Sequence, residues 1–98
     1  MLRKTPGKSG DTATVTFELP ALASGATVHL CGEFNDWSKT ATPMSRRKDG
    51  RFSVSLILET GRSYRYRYLV DGSRWENDWT ADSYAPNEFG GDDSVVEL

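Results

Sequence analysis

Ser63-Tyr64-Arg65-Tyr66-Arg67-Tyr68-Leu69-Val70, followed by Asp71-Gly72, decides the fold. Tyr64, Tyr66, Tyr68 and Val70 recur with period two, which sets them on one face of an extended strand. Arg65, Arg67 and Leu69 fall on the other. Asp71-Gly72 offers residues that tolerate positive φ, so the strand is expected to turn tightly into a short strand around Trp75.

The same alternation runs outward in both directions. Upstream, Gly61 separates this strand from Arg51–Leu58, where Phe52, Val54, Leu56 and Leu58 share a face. Asp49-Gly50 joins that run to Ser45–Lys48 and marks a second hairpin. Thr12–Leu19 places Ala13, Val15, Phe17 and Leu19 on one side, and Pro20 ends it by removing a backbone donor. Ala21–Ser24 has room for one helical turn before Gly25. Ala26–Gly32 follows as a strand with Val28 and Leu30 inward and His29 and Cys31 opposite. Downstream, Asn77–Asp93 reads as a long irregular loop, a length that usually carries function, and Ser94–Leu98 as a last strand.

About seven short antiparallel strands, with turn signals between them and no helical period, predict an all-β, immunoglobulin-like sandwich of two sheets. Residues 12–98 are expected to form this single domain, behind a flexible N-terminus at 1–11. With 98 residues the chain suffices for one core. Its 37% hydrophobic and 27% charged content is that of an ordinary globular domain.

Composition also narrows the function. Twelve basic against fourteen acidic residues, net −2, leave no electrostatic footprint for nucleic acid or an anionic membrane. The first eleven residues lack the apolar core of a secretory signal, and no window approaches the roughly 18 apolar residues of a membrane span. With one cysteine, Cys31, no internal disulfide can form, which fits a cytoplasmic protein. One histidine and one cysteine fall short of the common zinc sites, so no metal and no cofactor is expected. Asp71, Asp78, Asp82, Asp92 and Asp93 all fall in polar turns where solvent should keep them ionised. That argues against the raised carboxyl a glycoside hydrolase needs, and the chain is expected not to be an enzyme.

The aromatic residues gather near strand ends, in Gly32-Glu33-Phe34-Asn35-Asp36-Trp37 and in Trp75-Glu76-Asn77-Asp78-Trp79. An exposed indole can cover the C–H face of a sugar ring while Asn, Asp or Arg meets its hydroxyls. Covering roughly 100 Å² at about 25 cal/mol per Å² is worth about 2.5 kcal/mol before the costs of association. Large aromatics also pack in cores, and Phe34 is expected to plug the end of this one. For Trp37, spatial pairing with Trp75 decides between the two roles.

The run Val28-His29-Leu30-Cys31-Gly32-Glu33-Phe34-Asn35-Asp36-Trp37 resembles the early-set domains that precede the catalytic barrel of isoamylases and glycogen branching enzymes. It equally resembles the glycogen-binding domain of the AMP-activated protein kinase β subunit; together these are the family 48 carbohydrate-binding modules. Tyr66-Arg67-Tyr68-Leu69-Val70-Asp71-Gly72 with Trp75, and Phe89-Gly90-Gly91-Asp92-Asp93-Ser94-Val95-Val96, match two further blocks in order and spacing.

The resemblance implies a non-catalytic module for α-glucans such as glycogen or starch. Trp37 and Trp75 would form an aromatic platform, Arg67 would hydrogen-bond the sugar, Phe89 would reach into the glucan, and Asp93 and Asn35 would complete the polar rim. Asp93 stands where the kinase subunits carry Asn. Trp79 and Tyr84 are additions that look more like the small stand-alone bacterial members. Such domains travel with glycoside hydrolase family 13 barrels, and 98 residues cannot hold that barrel. The alternative reading is an interaction or regulatory domain that docks a glucan-processing enzyme, through the Arg65, Arg67 and Arg74 face. A monomer or weak dimer is expected.

Overall fold

A computed structural model of the protein describes residues 2–19 and 27–98. The possible helical turn at 21–24 and the first residue, Ala26, of the strand expected over Ala26–Gly32 lie outside them. Nine strands run through the described residues: β1 Leu2–Pro6, β2 Thr12–Leu19, β3 Val28–Gly32, β4 Ser45–Arg46, β5 Phe52–Glu59, β6 Ser63–Val70, β7 Arg74–Glu76, β8 Ser83–Pro86 and β9 Asp92–Glu97. Between β3 and β4 lies a single 3₁₀ turn, Glu33–Asn35. All pairings are antiparallel, in a four-stranded sheet ordered β1-β2-β5-β4 and a second sheet ordered β3-β6-β9-β8, with β7 added beside β6. This is the all-β sandwich that the alternation predicts. Among the described residues no helix is long and apolar enough to cross a membrane.

The core lies between the inward faces. Val15, Phe17 and Leu19 of β2 and Phe52 and Leu58 of β5 meet Val28, Leu30, Tyr64, Tyr66, Tyr68, Val70 and Val96 of the second sheet. Phe17 stands edge-on to Tyr66, with ring centroids 5.0 Å apart, and Tyr66 edge-on to Tyr68 at 5.9 Å. Both are the geometry that aromatic quadrupoles favour. Phe34 closes one end, 5.6 Å from Phe17 and 6.2 Å from Tyr64. Cys31, on the opposite face of β3, is also buried, and burial pushes its thiol above the ordinary value.

Two strands exceed the expected seven. β1 occupies the stretch expected to be flexible. It pairs along β2 from Leu2↔Phe17 to Pro6↔Ala13, and its cations fasten it. Arg3 meets the buried Glu18 carboxylate at 2.5 Å, while Lys4 bonds Asp82 at 2.6 Å and the Glu97 carbonyl at 3.1 Å, tying one sheet to the other. β8 lies inside the expected long loop and pairs with β9 from Ser83↔Val95 to Pro86↔Asp92.

The two Asp-Gly turns differ. Asp71 (φ 53°) and Gly72 (φ 73°) are both left-handed, in a turn closed by Ser73 N–H on Val70 O at 3.2 Å. At the other, Gly50 has a φ of 90° and Asp49 does not have a positive one. There Gly50 N–H donates to Arg47 O and Arg47 N–H to Arg51 O, a three-residue loop in which a single left-handed glycine suffices.

Asp78, expected in a solvated turn, is 3% exposed. Its carboxylate accepts the hydroxyls of Tyr66 (2.8 Å) and Tyr68 (3.2 Å) and the N–H and hydroxyl of Thr80 (3.0 and 3.2 Å). Burial works against its charge, yet the carboxyl is held below its usual range, with the Thr80 N–H and the Tyr66 hydroxyl among the donors that favour the charged form. The two phenols are pushed up by burial first; this carboxylate comes next for Tyr68 and after Tyr68 itself for Tyr66. Replacing Asp78 with Ala strands the buried Tyr66 hydroxyl and leaves that of Tyr68 with only a long bond to Glu18 O at 3.5 Å. The expected cost is about 2–4 kcal/mol, or a fall of roughly 10–25 °C in the melting temperature of a domain this size. Thermal denaturation followed by circular dichroism checks it, and Tyr66→Phe, which leaves the carboxylate its other donors, should lose only about 1 kcal/mol.

Candidate functional site

The outward side chains of β6 cannot enter the core, and neighbouring strands extend their row. Cys31 of β3 is paired with Arg67, Trp75 of β7 with Leu69, and Val95 of β9 with Arg65. Over this face opens a cleft lined by Glu33, Trp37, Lys39, Arg65, Arg67, Trp75, Pro86, Asn87, Glu88, Phe89 and Asp93. Of the six residues that the sequence singles out, Trp37, Trp75, Arg67, Phe89 and Asp93 line this cleft together. Asn35 does not.

Trp75 arrives by the β6–β7 hairpin, and the Arg67 guanidinium lies 6.0 Å from its ring centroid. Trp37 arrives by a tighter route. After the 3₁₀ turn, Asp36 and Trp37 both have positive φ, 59° and 58°. The left-handed region costs a residue with a Cβ roughly 1–2 kcal/mol, and bulky residues seldom occupy it. What holds Trp37 there is Asn35. Its Oδ1 accepts the Gly32 N–H at 3.1 Å, while its Nδ2 donates to Leu30 O at 2.8 Å and to Thr42 Oγ1 at 2.9 Å. Trp37 N–H completes the turn on Gly32 O at 2.8 Å. Both indoles are half-buried, with part of each ring facing the cleft.

The polar floor is built around Asp93, whose side chain is nearly buried. Arg65 Nη1 lies 3.5 Å from Oδ2 and Arg67 Nε 3.9 Å from Oδ1, and Asn87 Nδ2 donates to Oδ1 at 3.2 Å. Arg65 is further held by Pro86 O at 3.0 Å, and its N–H donates to Glu33 Oε1 at 2.7 Å. Arg67 Nε is buried and, among the described residues, has no hydrogen-bond partner. The carboxylate thus spends its acceptors inside the protein and steadies two guanidinium groups that line the cleft.

Phe89 sits at the tip of the β8–β9 loop with 86% of its surface exposed. Asn87 shapes that loop: its Oδ1 accepts the N–H groups of Phe89 (2.9 Å) and Gly91 (3.1 Å), and its own N–H donates to Gly91 O at 2.8 Å. Gly90, at a φ of 85°, supplies the left-handed position. Asn87, Lys39, Glu33, Arg65, Pro86 and Glu88 are cleft residues that the sequence reading did not single out for sugar contact. Asn87 acts by bonding main chain, so no spacing betrays it; the two adjacent glycines mark a turn without saying what closes it. Among the described residues no group of three or more His, Cys, Asp or Glu side chains is placed to hold a metal ion.

The family model for the glycogen recognition site of AMP-activated protein kinase matches residues 9–97. A 1,4-alpha-glucan branching enzyme of Aquifex aeolicus is 39% identical over 54 residues, which is 52% of this chain and 8% of the enzyme's length.

The position of Asn35 makes its own test. Asn35→Ala removes three hydrogen bonds beside the left-handed Trp37 and is expected to cost about 1–3 kcal/mol. The melting temperature should fall roughly 5–20 °C, with the near-ultraviolet circular dichroism of the tryptophans changed at temperatures where the far-ultraviolet spectrum is not.

Proposed function

The chain belongs to the family of glycogen recognition sites of AMP-activated protein kinase, and from that membership we propose that it is a non-catalytic α-glucan-binding module whose site is the cleft on the outer face of the β3-β6-β9-β8 sheet. The observation that carries the reading is the convergence of Trp37 and Trp75 on one cleft with the donors of Arg67 between the two strands that bring them. Trp37 and Trp75 cover the apolar faces of successive glucose rings. Arg67 hydrogen-bonds their hydroxyls, Asp93 and Asn87 fix its direction, and Phe89 fills the hollow of the curving glucan. Asn35 serves the platform from behind, by holding the turn that presents Trp37.

Charge supports a neutral ligand. Lys39, Arg65 and Arg67 face Glu33, Glu88 and Asp93 around the same cleft, three cations against three carboxylates. A phosphate or carboxylate ligand would meet no excess of positive charge there, whereas a polyhydroxylated chain can use donors and acceptors alike. The same arrangement argues against hydrolysis. Two carboxyl groups would have to flank an enclosed sugar; here the cleft is open, and Asp93 is occupied by Arg65, Arg67 and Asn87.

Docking to a glucan-processing enzyme is the alternative reading, favoured by the match to a short part of a branching enzyme. Arg74, counted toward an interaction face in the sequence, pairs with Glu76 at 3.0 Å and keeps an exposed side chain.

Titration with maltoheptaose, followed by tryptophan fluorescence, is expected to saturate at micromolar to millimolar sugar. Trp75→Ala and Trp37→Ala should each weaken binding at least tenfold, since about 1.4 kcal/mol of the gross stacking energy suffices for that. Trp75→Ala should keep the far-ultraviolet spectrum of the parent. Asn87→Ala, which frees the Phe89 loop, should weaken binding about three- to tenfold, a loss of about 0.7–1.4 kcal/mol. A flat wild-type response at millimolar sugar contradicts the proposal and favours the docking reading.

A further inference from the structure

Trp79 lies outside the cleft, with 83% of its surface exposed. Its mount is among the most heavily bonded turns of the molecule. Asp78 N–H donates to Ser94 Oγ at 2.8 Å, the Asp78 carbonyl accepts the Tyr84 hydroxyl at 2.6 Å, and Thr80 N–H donates to the Asp78 carboxylate at 3.0 Å. Just before it, Asn77 is held by Asp92 O and by Ser94. A residue fixed so firmly on both sides, yet presenting its indole to water, is not explained by packing. Among the described residues the ring of Trp79 makes no ring–ring or cation–π contact.

The surroundings indicate what the ring meets. Along the chain its neighbours include the polar Asn77, Thr80, Asp82 and Ser83; Trp75, four residues before it, belongs to the cleft, and Tyr84, five after it, is 46% exposed with its hydroxyl tied to Asp78. One or two rings offer a few hundred Å² at most, well under the roughly 800 Å² that each partner contributes to a standard protein interface. An exposed indole of that size fits a ligand of matching size, one sugar ring with an apolar face.

We infer that Trp79 is a second contact for α-glucan, separate from the cleft and used when the ligand is a polymer. The inference rests on the cleft being the primary glucan site. One indole covers too little surface to offset the loss of free motion of a sugar arriving from solution. On a polysaccharide already held in the cleft, a second length of chain or a neighbouring branch is supplied at high effective concentration, and a weak contact then counts.

Two probes separate the readings: β-cyclodextrin, a small closed ring that engages one site at a time, and glycogen. Trp79→Ala is expected to bind glycogen about three- to tenfold more weakly than the parent in affinity electrophoresis. Its β-cyclodextrin affinity, read by calorimetry, should be unchanged, and Trp79→Phe should restore part of the glycogen affinity. Trp75→Ala should weaken both. Unchanged glycogen affinity in Trp79→Ala, with both weakened in Trp75→Ala, overturns the second contact and leaves the cleft standing. Equal losses for both ligands in Trp79→Ala also overturn it, by assigning the indole to one site or to the fold. A wild-type dimer that Trp79→Ala converts to monomer in sedimentation overturns it in favour of a contact between copies. No binding of either ligand by the parent removes the cleft reading itself.

Discussion

Strand β6 has two faces, and both are committed. Inward, Tyr64, Tyr66 and Tyr68 fill the space between the sheets, with Tyr66 and Tyr68 carrying their hydroxyls to the buried Asp78 carboxylate. Outward, Arg65 and Arg67 form the floor of the cleft around Asp93. Because the side-chain period of a strand is two, these assignments are not independent. A slip of one residue would drive guanidinium groups into the core and turn phenols to water. The register that buries the tyrosines is therefore what points the arginines at the cleft, and β3, β7 and β9 bring Trp37, Trp75 and Asp93 to it by pairing with the same strand.

The features that depend on side-chain alternation were legible in the sequence: β2, β5 and β6, the faces they bury, and the Asp71-Gly72 turn. The features that depend on backbone pairing or on a single polar bond were not. β1 is Leu-Arg-Lys-Thr-Pro, with one large apolar residue, and it is held by its ladder with β2 and by Arg3 and Lys4 reaching Glu18 and Asp82. β8 is Ser-Tyr-Ala-Pro, an edge strand short enough to pass for a loop, with its proline at the end. Asp78 reads as a turn residue because its partners Tyr66 and Tyr68 lie on another strand. Within the site, the aromatic and arginine positions could be named from motif blocks. The work of Asn87 and the real place of Asn35 could not, since each acts through main-chain groups brought together only by folding.

Preorganisation runs through the cleft. Trp37 is held in a left-handed conformation that its side chain disfavours, by a turn whose bonds converge on Asn35. Phe89 is held out in water by a loop closed on Asn87. Asp93 offers an explanation of its own. A carboxylate cannot donate, which makes it a poor substitute for Asn as a direct sugar contact. Set between two guanidinium groups and the Asn87 amide, it serves instead as the acceptor that orients donors. Apolar surface held exposed and donors held ready reduce the ordering that a ligand must otherwise impose.

The most direct test of the cleft as the glucan site is residue-by-residue: ¹H–¹⁵N NMR spectra, including indole and guanidinium Nε–H signals, recorded during titration with maltoheptaose. The account predicts that the shifts with the lowest saturating concentration cluster on the Trp37 and Trp75 indoles, Arg67 Nε–H, the Asn87 side-chain amide and the Phe89–Gly91 backbone. Thr14, Thr16, Ser55 and Ile57, on the outer face of the opposite sheet, should stay in place. Shifts centred on that opposite face, or none at the two indoles, would contradict it.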